Sequence, residues 1–134
     1  MPKLGIEPIL APVTAQKVST PVDAVLFDST AEAYTSASVD CSGYRKFLLE
    51  INLDVTLLPT DINIQVQFSD DDSTFYDFTD GPFGSLMYED GAGDKKQAVS
   101  GECLARYIRI YVLSSGCTAS ATFLLTCKLV LSAL

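Results

Sequence analysis

The chain has 134 residues and contains neither histidine nor tryptophan. Lacking histidine, it lacks the commonest general base, the usual zinc and copper ligand, and the group that activates serine and cysteine nucleophiles. Lacking tryptophan, it is a weaker candidate for a sugar-stacking platform. Basic residues are few. Nine Lys and Arg against seventeen Asp and Glu give a net charge of -8, which argues against a nucleic-acid-binding face and against anionic membrane surfaces. No apolar run approaches the roughly 18 residues needed for a membrane-spanning helix, and no stretch shows convincing helical periodicity. The four cysteines, at 41, 103, 117 and 127, form no Cys-x-x-Cys pair, which removes a zinc ribbon. Residues 1–5 lack the apolar core of a signal peptide. The expectation is therefore synthesis in a reducing cytoplasm with free thiols. A Cys103–Cys127 disulfide is an open alternative.

What the chain has in abundance is apolar surface: 48% of it is hydrophobic. At this length one domain with a real core is expected, and any excess apolarity belongs in subunit contacts. The organising stretch is 103–131. Ile108, Ile110 and Val112 alternate with Tyr107, Arg109 and Tyr111. After residues 113–116 (Leu-Ser-Ser-Gly), Phe123, Leu125, Cys127, Leu129 and Leu131 alternate with Leu124, Thr126, Lys128 and Val130. Period-two alternation gives each run one core face and one wetter face. The short Ser/Gly link predicts a β-hairpin between the two runs.

Earlier in the chain the same pattern recurs. Residues 1–13 hold Pro2, Pro8 and Pro12, which forbid a regular helix and suit an extended arm. Its Leu4, Ile6, Ile9 and Leu10 are too apolar for a free polar tail. Two readings stay open: the arm packs along its own domain, or it reaches a neighbouring subunit. Short strands are expected at 14–20 and 24–27, interrupted by Pro21, and a weak Ser/Thr-rich strand at 33–39. Strong alternation marks strands at 44–55 and 62–68. A polar turn at 69–73 leads to a returning strand at 74–79, forming a second hairpin. Residues 80–101 read as a long glycine-rich loop with a short strand near 85–88. The sum is an all-β fold: an antiparallel β-sandwich, jelly-roll-like, of about eight strands over 14–134, with the N-terminal arm at 1–13.

Candidate chemistry is sparse. Asp70, Asp71 and Asp72 could invite calcium, but adjacent acids do not converge easily on one ion, and a solvated turn is the default. Glu89, Asp90 and Asp94 near Lys95 and Lys96 could supply a carboxylate pair or a metal site. The default there is an exposed charged loop. The Gly-Ala-Gly-Asp-Lys-Lys run at 91–96 lacks Walker spacing and a following helix. No catalytic set emerges, so the expectation is no enzyme, no cofactor and no metal. The Tyr107, Arg109 and Tyr111 stripe, with Leu124 and Val130 expected beside it from the partner strand, has three readings: a face covered by the chain's own arm, a subunit interface, or a glycan platform.

Four runs carry a resemblance: Val-Asp-Cys-Ser-Gly-Tyr-Arg-Lys at 39–46, Gln-Phe-Ser-Asp-Asp at 67–71, Ser-Thr-Phe-Tyr-Asp at 73–77 and Ala-Arg-Tyr-Ile-Arg-Ile at 105–110. Together, over roughly 38–131, the chain resembles small β-sandwich proteins from the structural gene clusters of tailed bacteriophages, including capsid decoration (cement) proteins. The last run is also similar to strands of discoidin-like and galactose-binding-like domains. The phage resemblance implies a non-enzymatic shell component, made in the host cytoplasm and bound to the capsid exterior. It implies the major capsid protein and further copies of itself, as a trimer, as partners. Pro2, Leu4, Ile6, Ile9, Leu10, Tyr107, Arg109, Tyr111 and Leu124 are the expected contact residues. A carbohydrate-binding or receptor-contacting module, or a tail or neck component, is the alternative.

Overall fold

In the computed structural model the described residues are 16–28, 31–57, 59–78, 93–118 and 122–133. They form nine strands: β1 (Gln16–Phe27), β2 (Ala31–Thr35), β3 (Val39–Asp40), β4 (Lys46–Val55), β5 (Asp61–Ser69), β6 (Tyr76–Asp77), β7 (Gly93–Glu102), β8 (Tyr107–Ser115) and β9 (Phe123–Ser132). All pairings are antiparallel. Sheet I has the order β1-β9-β4-β7. Sheet II has the order β2-β8-β5-β6, with β3 also paired to β8. The chain steps back and forth between the two sheets, and this interleaving is the jelly-roll arrangement expected from the strand pattern.

The alternating runs explain the two layers. Phe47, Leu49, Ile51, Leu53 and Val55 of β4 are buried, as are Phe123, Leu125, Cys127, Leu129 and Leu131 of β9. From sheet II, Ile62, Ile64, Val66 and Phe68 of β5 and Ile108, Ile110 and Val112 of β8 are buried too. Each large side chain removed from water in this way contributes about 1.5–3 kcal/mol. The two ends of the sandwich are closed by aromatics. Phe27 stacks on Phe123 with centroids 4.6 Å apart. At the other end Phe47, Phe68 and Phe78 form a triangle with centroids 5.6–6.0 Å apart. Gly101 of β7 makes room for that triangle: a Cβ there would sit 3.0 Å from both the Phe47 and Phe78 rings.

Several expectations change. Residues 113–116 do not close a hairpin. Both alternating runs bury their apolar faces, but from opposite sheets: β8 pairs with β2, β3 and β5, whereas β9 pairs with β1 and β4. A two-layer core satisfies both faces at once, and Gly116, at φ 76°, lets the chain leave β8 over Thr60. The 14–20 and 24–27 strands are one strand, β1, with register shifts between Ser19 and Val22 and between Val22 and Val25. Ala24 takes a positive φ of 56° there. The weak strand at 33–39 is two short strands joined by Ser36. Ser36 N donates to Ile110 O (2.9 Å) and its Oγ accepts from Ile110 N (2.8 Å), so a side chain stands in for the ladder. Residues 93–101, expected within a loop, belong with Glu102 to the ten-residue strand β7, which runs along the whole of β4. The second hairpin is present as β5–β6, in short form. The arm at 1–13 and the short strand near 85–88 lie outside the described residues.

Candidate functional site

Alternation places two sets of polar and apolar side chains on the outer faces of the sandwich. On sheet II the register sets Tyr107 beside Ser69, Arg109 beside Gln67 and Tyr111 beside Gln65. Arg109 is engaged rather than free. Its Nε donates to Gln67 Oε1 (2.8 Å), and Gln67 Nε2 donates to Asp77 Oδ1 (2.8 Å). Its guanidinium lies 3.7 Å from the centroid of Phe75. Tyr107 is half-buried, with the Arg106 guanidinium 5.1 Å above its ring. Arg106 in turn pairs with Asp40 at 3.2 Å, an exposed and therefore weak bridge. Tyr111 borders a hollow of about 290 Å³ with Asn63, Gln65, Gln67, Asp77 and Leu113.

Leu124 does not join this stripe. It sits on β9 in sheet I, paired with Leu26 and Asp54, so it points away from the opposite side of the sandwich. The expected neighbourhood rested on the hairpin, and the crossover between sheets removes it. Leu26, 52% exposed, and half-buried Leu124 instead form an apolar spot at one end of sheet I. Val18, 57% exposed, stands in register with Val130, and Val130 with Leu48, at the other end. Between them lies a hollow of about 470 Å³ bordered by Glu50, Asn52, Lys96, Ala98, Thr126 and Lys128. Glu50 and Lys128 stand directly opposite in register, a favourable cross-strand pairing of charges. Among the described residues the shielded Asn52 Oδ1 and Gln97 Oε1 have no hydrogen-bond partner.

Sequence reasoning missed a third surface feature. Tyr76 and Leu104 are 69% and 58% exposed and border a hollow of about 200 Å³ with Asp70, Asp77 and Ala105. No pattern signals it, because Tyr76 lies in a two-residue strand and Leu104 between strands. Of the expected contact residues, Pro2, Leu4, Ile6, Ile9 and Leu10 lie outside the described residues.

The acidic turn has a defined structural role. Asp71 Oδ1 accepts from Ser73 N (3.0 Å), Thr74 N (2.9 Å) and Ser69 Oγ (2.9 Å). These bonds, chiefly those from Thr74 and Ser73, hold its carboxyl below the ordinary aspartate range. Asp72, at φ 59°, accepts from Ser38 Oγ. Among the described residues no group of three or more His, Cys, Asp or Glu could hold a metal ion. Asp94, Lys95 and Lys96 belong to β7, while Glu89 and Asp90 lie outside the described residues.

No disulfide joins any two of the four cysteines. Cys127 is sealed between Val22 and Ile51 in register, and burial pushes its thiol up to about 12, so it behaves as a small hydrophobe. Cys103 is not its neighbour. Cys103 follows β7, which β4 separates from β9, and it is half-buried beside Cys41 instead.

No protein-family model matches the chain, and no curated protein sequence matches it. Solved structures that share its fold include the following two. A chain in the structure of the infectious bursal disease virus Gx strain superposes with a TM-score of 0.60 and 11% identity over 98% of the present chain. The match spans 36% of that chain, about a third of its length. The SPBc2 prophage-derived protein YomS superposes with a TM-score of 0.50 and 12% identity, covering 93% of the present chain and 99% of YomS.

Proposed function

We propose that the protein is a structural virion component, a capsid decoration protein that binds the exterior of an assembled phage capsid and bridges neighbouring subunits. The observation that carries this reading is the complete jelly-roll strand order, β1-β9-β4-β7 facing β2-β8-β5-β6, a fold shared with a virus chain and a prophage protein. Apolar side chains left open on the outside, at Val18, Leu26, Tyr76 and Leu104, support contact-making faces. On this reading the protein is no enzyme and needs no cofactor. Its partners are the major capsid protein and further copies of itself, as a trimer, and it binds neither nucleic acid nor membrane. Because it binds the assembled shell and not free subunits, it stabilises the shell by mass action, and symmetry-related copies add avidity. The apolar arm at 1–13 is one contact element, and the outer stripe with Tyr107, Arg109 and Tyr111 is another.

Co-sedimentation with empty capsids tests the reading. Deleting residues 1–13 is expected to leave the circular dichroism spectrum of the sandwich unchanged and to reduce capsid occupancy. Wild-type occupancy by the truncated protein would remove the arm from the proposal, and absence of binding by the full chain would sink the decoration role.

A second reading rests on the Tyr111 hollow, where an aromatic ring stands among the amides of Asn63, Gln65 and Gln67. That lining suits a neutral polyhydroxylated ligand such as a glycan. Glycan-array binding abolished by Tyr111→Ala would favour it. An array without signal would remove it.

A further inference from the structure

We infer that Cys41 and Cys103 form a dedicated oxidation site, two thiols held in contact that convert to an intramolecular disulfide on exposure to a hydroperoxide. The placement is built by backbone on both sides. Cys41 follows β3 directly and Cys103 follows β7. Cys41 N donates to Arg106 O (2.7 Å), and Cys103 N donates to Arg45 O (2.8 Å). Two main-chain bonds thus clamp residues 41–45 against residues 103–106, with the two side chains between them. Cys41 Sγ donates to Ala105 O (3.0 Å) and Arg106 O (3.1 Å), and its neighbour across the clamp is the Cys103 thiol.

The other two cysteines lack this arrangement. Cys127 is enclosed in the core, and Cys117 is buried beside Ser114 Oγ at 3.6 Å. Cys41 is 1% exposed, whereas Cys103 is half-buried and offers the side from which a small oxidant approaches. One sulfur of the pair acts as nucleophile and the other as resolving thiol.

The chemistry balances with hydrogen peroxide as oxidant. The first thiolate sulfur attacks one peroxide oxygen; the S–O bond forms, the O–O bond breaks, and hydroxide leaves. That cysteine is then a sulfenic acid. The second sulfur attacks the first; the S–S bond forms, the S–O bond breaks, and the oxygen departs as water with the proton from the second thiol. In sum, two thiols lose two electrons and two protons, and the peroxide becomes two waters. The product ties the β3 margin of sheet II to the β7 margin of sheet I. On the decoration reading the pair is reduced during synthesis and becomes a staple once the particle leaves the reducing cytoplasm. The thiol chemistry does not depend on that reading.

The test uses the full chain, free in solution, treated with hydrogen peroxide and then unfolded and alkylated. The expected result is that two of the four cysteines become unreactive, peptide mapping links Cys41 to Cys103, and reductant reverses the link. The thermal midpoint should rise by roughly 10 °C, because the closed loop is long. The Cys103→Ser variant should form no intramolecular link. Linkage through Cys117 or Cys127, oxygen addition without a cross-link, or four thiols still reactive would each overturn the inference. None of these readouts involves a capsid, so failure of the oxidation site and failure of the decoration role are separable.

Discussion

The guanidinium of Arg109 stacks on the ring of Phe75 at 3.7 Å, so the β5–β6 turn is fastened to the outer face of β8. The same Arg109 is bonded edge-on to Gln67. A planar cation can do both, which a lysine ammonium cannot. Phe75→Leu and Arg109→Met are therefore expected to be coupled in a double-mutant cycle by roughly 0.5–1 kcal/mol. Urea denaturation of the four proteins measures it. A coupling of zero would mean that the stacking contributes nothing to the fold.

Gly116 is the joint at which the chain leaves sheet II. Its φ of 76° is left-handed, and a Cβ would overlap the Thr60 side chain and stand 2.6 Å from Thr60 N. Gly116→Ala should therefore combine backbone strain with a backbone clash and cost more than about 2 kcal/mol. Chemical denaturation checks it. A loss under about 0.5 kcal/mol would show that the 116–122 crossover can be rebuilt without the glycine.

Asp40 sets a pH dependence. Ser42 Oγ donates to its Oδ1 at 2.7 Å and Ser42 N at 2.9 Å, with Arg106 as a lesser contributor. These hold its carboxyl at about 2 against an ordinary 3.8. Between those values the unfolded chain binds a proton that the folded chain does not, so stability is present above the upper limit and is lost as pH falls through the lower one. Asp71 acts in the same direction. The thermal midpoint of Asp40→Asn should lie a little below wild type at neutral pH, with the gap closing on approach to pH 2. Both groups are exposed, so solvent screening keeps the gap small. A gap independent of pH would assign the effect to shape rather than charge.

Much of the sandwich was legible because both sheets are one-sided. In β4, β5, β8 and β9 each inward position except Ser114 is apolar, and the faces read from alternation are the faces observed. β7 was not legible. It runs along β4 with Ala98 and Val99 as its apolar side chains, and its pairing is carried by backbone bonds that leave no sequence pattern. The Ser/Gly link at 113–116 has hairpin composition, and composition does not distinguish a turn within a sheet from a crossing between two. That single ambiguity misplaced Leu124 and joined Cys103 to the wrong partner. The Cys41–Cys103 contact depends on sheet order, which local patterning does not encode. The Tyr107, Arg109 and Tyr111 stripe was visible as residues sharing a face, but its coupling to Phe75, Gln67 and Asp77 was not.

The irregular course of β1 has a consequence for crowding. Among the described residues β1 pairs with β9 alone, and its two register shifts and the left-handed Ala24 break the even spacing of its amides and carbonyls. A straight strand from a second molecule would fall out of step twice along it, and Pro21 offers it no N–H. Edge-to-edge merging of sheets between copies, the route to fibres, is thereby disfavoured.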